Sequence, residues 1–372
     1  MPKTRLKFST VFLTGLLIVF FSFGSSAVSQ AEELTEAEYI KAMTEALQAI
    51  IKRHRPKAPN KLVFRANLFF AHETAIKNMP LDILKAKVLA LKEAGVKGVD
   101  INMGLYPWLD RDMEAIQKYD ALIEFIRAQG LTLALNPAYA YVYHRVDNFK
   151  DFEEKAEKAW LMMADRYKPD IFVVAHEPST QSMRMGFETG PRVWADFVKR
   201  MARKVKTASP GSRIGAGVHS GEERYFAEFV KIEELESISF DIYTVKELVA
   251  VNRMIPKAKK AGKAVYIEET WRPPYVGSEA GLDLDYKMAR GVGLERFARI
   301  DCLWLEMITI YASIWGLEAV TPFWTQAFFW YDRERGDALD QGYNLKVIEA
   351  IALKKRTSTY GKFSDLIKEY GK

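Results

Sequence analysis

Two glutamates stand where short apolar runs end: Glu177 after Ile171-Phe-Val-Val-Ala-His176, and Glu269 after Ala264-Val-Tyr-Ile-Glu268. Each is soon followed by a proline, Pro178 or Pro273, as where a strand gives way to a loop. Two carboxyls held close together can divide acid–base work, because their surroundings keep one protonated and the other ionised. At a separation of about 5 Å, such a pair suits hydrolysis of a glycosidic bond with retention. One carboxyl protonates the leaving oxygen and the other attacks the anomeric carbon. The plainer reading is a pair of solvated loop acids. Glu268 competes for the second role, and alternation along the run selects Glu269 by grouping it with Val265 and Ile267.

Other polar residues keep a two-residue spacing inside apolar runs. These are Arg65 and Asn67, Asp100 and Asn102, Thr132 and Asn136, and Ser239, Asp241 and Tyr243. Val173, Ala175 and Glu177 form a further set, as do Gly215, Gly217 and His219, whereas Ile238, Phe240 and Ile242 alternate as apolar neighbours. Polar side chains on one face of a strand are costly unless they are paired or used. The candidate substrate contacts are therefore Arg65, Asp100, Asn136, Tyr139, His176, His219, Tyr243, Trp271 and Trp324. Arg65 is either a buried guanidinium paired with Asp100, Asp241 or Glu269, or the mark of a strand displaced by one residue.

Positioning these residues requires a repeated frame. Eight β-branched or apolar runs occur, at 62–70, 97–103, 131–138, 170–176, 213–219, 238–244, 264–269 and 318–324. Helical periodicity fills the gaps. Leu81, Leu84, Val88 and Leu91 share a face that ends at Gly95; Ile116, Tyr119, Ile123 and Ile126 precede Gly130; Gly262 closes the sixth helix. Eight strands alternating with helices predict parallel pairing with right-handed crossovers, and eight is the number that closes. The expected fold is α/β, a single-domain (β/α)8 TIM barrel over residues 32–372 with N-terminal and C-terminal helical extensions. An open doubly wound sheet is the rival, but neither GxGxxG nor GxxxxGK[ST] follows any run.

In such a barrel Glu177 ends the fourth strand and Glu269 the seventh. Here the chain resembles the clan of retaining glycoside hydrolases with cellulase-type (β/α)8 barrels, whose fourth strand ends in Asn-Glu-Pro and whose seventh ends in an apolar-x-Glu motif. The resemblance implies Glu177 as acid/base and Glu269 as nucleophile. It further implies that Tyr243 hydrogen-bonds the nucleophile and that Trp324 stacks on a sugar. The chain departs from the pattern at His176, which stands where the clan has the Asn that holds the sugar 2-hydroxyl. A carbohydrate substrate also suits the aromatics near the strand ends: Tyr106, Trp108, Tyr139, Tyr141, Tyr143, Trp271, Tyr275, Trp324, Phe328, Phe329 and Trp330. Trp160, Trp194, Trp304 and Trp315 lie inside helical gaps and are expected in the core.

Two other function classes compete. His72, His176 and His219 fall at run ends beside acids and could hold a divalent metal, although no His-x-His lies on the first run. A barrel that binds carbohydrate without turnover is the other. No cofactor or metal is expected. The chain has 54 basic and 48 acidic side chains among 372 residues, and the excess halves without Lys3, Arg5 and Lys7, so nucleic acid is not an expected partner. One cysteine, Cys302, excludes an intrachain disulfide. Those three basic residues, the apolar run Val11 to Phe23 and the small residues up to Ala31 read as a secretory signal cleaved before Glu32, with Ala27-x-Ser29 as a second cleavage option. The expected mature protein is secreted or periplasmic with no lasting membrane association. Nothing in the spacing fixes an oligomeric state.

Overall fold

The computed structural model describes residues 36–68, 75–138, 146–271, 297–331 and 341–372. The signal segment, His72, Tyr139, Tyr141, Tyr143 and Tyr275 lie outside these residues. Eight parallel strands close into a barrel in chain order. They are β1 (Val63–Asn67), β2 (Gly98–Gly104), β3 (Thr132–Ala138), β4 (Ile171–His176), β5 (Arg213–His219), β6 (Ser237–Ile242), β7 (Ala264–Thr270) and β8 (Ala319–Pro322). Closure comes from Val63 and Phe64 of β1 pairing with Ala319 and Val320 of β8. All eight match the runs read from the sequence, and the open-sheet rival is excluded.

The helices form where the apolar period of 3.6 residues lays one face on the sheet. Helix Pro191–Ala208 buries Trp194, Phe197, Val198, Met201, Ala202 and Val205. Its Trp194 and Phe197 pack edge-on and tilted with Phe149, Phe152 and Trp160 at centroid distances of 5.1–6.0 Å. Trp304 is also in the core, whereas Trp315 is half-buried. The predicted helix stops hold: Gly95, Gly130 and Gly262 all have positive φ, at 103°, 73° and 74°. The C-terminal helix Ser358–Tyr370 docks through Phe363 onto Phe64 and Phe328, and Gly371 bridges Leu62 just before β1. Among the described residues no helix is long and apolar enough to cross a membrane.

Strict alternation fails in two strands, and both failures shape the barrel mouth. On β7, Ile267 pairs with Phe240 but Glu269 pairs with Asp241; toward β8, Ile267 pairs with Val320 and Thr270 with Pro322. One extra residue is thus bulged out of β7 at Glu268. Val265 and Ile267 face the helices, so the alternation used above to select Glu269 is wrong below the bulge. The bulge then turns both Glu268 and Glu269 toward the axis. On β4, Val173 pairs with Gly215 and His176 with Gly217, again one residue in excess. Ala175 joins the apolar layer instead of sharing a face with Glu177, and His176 turns inward.

Candidate active site

The barrel axis is polar along its length. Deepest lies Arg65, buried on β1, whose Nε donates to Asp100 Oδ1 at 2.6 Å and whose guanidinium also reaches the Val99 carbonyl at 3.3 Å. Arg65 lines an opening of about 450 Å³ at the N-terminal ends of the strands, with Thr132, Arg213, Tyr266 and Glu318. Of its three candidate partners it takes Asp100. The pair lies at the foot of the barrel, and its contacts do not reach the glutamates at the mouth. Burial pushes the Asp100 carboxyl up, against the opposing pull of Arg65.

Above this pair, Ser239 donates to Glu268. Burial lifts the Glu268 carboxyl to about 7, although His176 and Ser239 act in the other direction. Gly217 makes room for this layer. A Cβ there would sit 2.6 Å from His176 Cδ2, 2.9 Å from Ser239 Oγ and 3.0 Å from Glu268 Oε2. Next comes His176, whose Nε2 is 2.8 Å from Asp241 Oδ2 and 3.8 Å from Glu269 Oε1. Burial alone would lower the imidazole pKa, but Asp241, Glu269 and Glu268 together raise it well above its usual value.

Glu269 is held from two sides at the mouth. Asn102 of β2 donates to Oε1 at 2.9 Å, and the Tyr243 hydroxyl, just beyond β6, donates to Oε2. Asn67 steadies Asn102 by donating to its Oδ1 at 3.3 Å. Burial raises the Glu269 pKa. His176, Tyr243 and Asn102 oppose that rise, while the charge of Glu177 adds to it. Glu177 leaves β4 in a left-handed conformation, φ 45°, and its N–H donates to the Gly217 carbonyl at 3.1 Å. Its charge bears on Glu269, Asp241, Tyr243 and Glu247, so both glutamates act in one field at the C-terminal end of the barrel. Glu177 is half-buried and Glu269 is buried.

The remaining candidates are distributed unevenly. Asn136, in register with Asn102, is buried and neither amide atom has a hydrogen-bond partner among the described residues. Trp324 is half-buried and stands edge-on to Phe323 at 5.0 Å, which in turn stands edge-on to Tyr243 at 6.3 Å. These three rings form an aromatic wall beside Glu269. Trp271 is not on that wall. It is buried against Phe328 at 5.1 Å, and Trp108, Phe328 and Phe329 are likewise core residues rather than rim platforms, because short helices after β2 and β8 fold them inward. His219 belongs to a clamp between β5 and the segment after β4. Its Nε2 is 3.0 Å from Ser179 Oγ, its Nδ1 accepts from Gly221 N–H at 3.0 Å, and Glu222 accepts the Ser179 N–H at 2.6 Å.

Sequence reasoning did not single out Asn102, Asp241, Ser239 or Phe323 as site residues, although the first three carried the inward spacing. Of the rival metal trio, His72 lies outside the described residues and His219 is held in its clamp. A different group, His176, Asp241 and Glu269, has one donor atom each within 4.8 Å of the others and could hold a cation.

Comparison with solved structures places this barrel. A GH5_18 structure from Streptomyces cattleya in complex with GlcNAc superposes with TM-score 0.54 at 12% identity, covering 84% of this chain and 81% of that one. The shared feature is the (β/α)8 barrel fold. A Thermotoga maritima β-glucosidase gives TM-score 0.52 at 10% identity, covering 86% and 100% of the two chains. Fungal β-1,4-galactanase gives 0.50 at 13%, covering 82% and 99%. At these identities the likeness is one of fold. No family model matches the chain, and no curated protein matches it in sequence.

Proposed function

We propose that the chain is an exported retaining glycoside hydrolase acting on a β-linked glycoside or polysaccharide. The observation that carries this reading is the two-sided grip on Glu269 by Asn102 and Tyr243, with Glu177 acting on it from the end of β4. In the first step Glu269 attacks the anomeric carbon, the glycosidic C–O bond breaks, and Glu177 gives its proton to the departing oxygen. A glycosyl ester on Glu269 results. In the second step water attacks the same carbon, Glu177 takes the proton of that water, and Glu269 leaves as carboxylate. His176 and the donors Tyr243 and Asn102 favour the ionised form of Glu269 on which the first step depends. The wall of Trp324, Phe323 and Tyr243 suits the C–H face of a sugar ring.

The test is a screen of aryl glycosides and plant and microbial polysaccharides with reducing-sugar detection, run beside Glu269→Gln. Turnover that vanishes in the variant supports the reading. Turnover equal in both rejects Glu269, and failure on every substrate class favours a barrel that binds without cleaving.

A further inference from the structure

We propose that His176, Asp241 and Glu269 form a binding site for a divalent first-row transition metal ion such as zinc, and that filling it silences Glu269. The silencing half rests on the hydrolase reading above; the binding half does not. Three observations carry the site. First, the donors come from three different strand ends, β4, β6 and β7, and are fixed there by two bulges and the barrel register rather than by mobile side chains. Second, their spacing fits. Ligand atoms around tetrahedral zinc, at bond lengths of about 2.0–2.2 Å, lie roughly 3.3–3.5 Å apart. The 2.8 Å and 3.8 Å separations from His176 Nε2 fall on either side of that value.

Third, the wholly buried Asp241 has Oδ2 2.8 Å from His176 Nε2, while its Oδ1 has no hydrogen-bond partner among the described residues. Buried polar atoms left in that state are costly. Asp241, Glu268 and Glu269 all lie within electrostatic reach of the one imidazole. A mixed nitrogen and oxygen set suits zinc, cobalt or manganese rather than magnesium, which prefers oxygen donors and retained water.

Metal binding would displace the proton from His176 and draw the Oε1 lone pair of Glu269 into a metal–oxygen bond. That lone pair is then withdrawn from attack on carbon, while Tyr243 still donates to Oε2.

The experiment is titration of the metal-free full chain with cobalt(II) and zinc(II), read by calorimetry and by visible cobalt absorption, with hydrolase activity followed in parallel. The expected result is one ion per chain, a cobalt spectrum typical of low coordination number, and activity that falls as the site fills and returns with chelator. Asp241→Asn and His176→Asn should each weaken binding by about tenfold or more, since the first removes the ligand's negative charge and the second removes the imidazole nitrogen. Two variants are used so that misfolding of one leaves the other to decide. Absence of stoichiometric binding, or binding unchanged in the folded variants, overturns the site. Activity that is unaffected by the bound ion, or that appears only with it, overturns the silencing. Metal binding is readable even if no glycoside is cleaved, so the two readings fail separately.

Discussion

Removing one hydroxyl at the mouth should move both the rate and its pH dependence. Tyr243 donates to Glu269 Oε2, and the acceptor is wholly buried, so Tyr243→Phe leaves a carboxylate oxygen without its donor while barely changing volume. A hydrogen bond to a charged group contributes about 1.5–3 kcal/mol. At 1.36 kcal/mol per factor of ten, kcat/KM should fall roughly 10- to 150-fold. The sign on pH follows from the same contact. Burial already raises Glu269, and Tyr243 is among the groups that pull it back down. Glu269 must be ionised to attack, so activity is lost as pH falls through its pKa, and the variant should lose it at a higher pH. A contribution of 1.5 kcal/mol corresponds to an upward move of about one unit. The assay is kcat/KM against pH on an aryl glycoside, with melting temperature as a folding control. An acidic limb that stays in place or moves down, with the loss confined to KM, would refute the reasoning.

Glu177→Gln should lower kcat by roughly 10²- to 10⁴-fold on substrates with poor leaving groups and much less on activated aryl glycosides, which steady-state rates on a leaving-group series check. Gly217→Ala should destabilise by roughly 1–3 kcal/mol and disturb His176, because the new Cβ meets its ring at 2.6 Å; unfolding by denaturant measures it. Lys87, wholly buried on helix Leu81–Ala94, has its pKa lowered by burial to about 7. Between that value and its ordinary 10.5, the unfolded chain binds the extra proton, so stability should rise with pH across this window. Lys87→Met should be more stable at pH 6 and should lose that rise, and the comparison of unfolding free energies at pH 6 and 9 settles it.

The frame of this molecule was legible because its signals are local. Each strand is a short β-branched run, and Gly95, Gly130 and Gly262 end helices where only a left-handed residue fits. The side-chain directions at the mouth were less so. Period-two reading assumes an unbroken ladder, and one inserted residue in β4 and one in β7 reverse the faces beyond them. Glu269 therefore reached the site although the alternation that selected it was wrong, and His176 turned inward against its assigned face. Pairing was partly legible: Arg65 found Asp100, one of three partners that charge alone allowed. The grip of Asn102 on Glu269 joins β2 to β7 across the mouth, a contact with no local trace. Trp271 shows the opposite error. Its place after a strand suggested an open platform, but the packing of Phe328 covers it.

The central claim is that Glu269 forms a covalent bond to the sugar. Incubation with 2-deoxy-2-fluoro glycosides bearing a good leaving group, in the gluco, manno, galacto and xylo series, should trap that ester. Peptide mapping by mass spectrometry should then find one fluorosugar on Glu269, with loss of label when Glu269 is changed to Gln. Label on Glu268 or on Glu177, or inactivation without any covalent adduct on a chain that turns over the parent glycoside, would contradict the account.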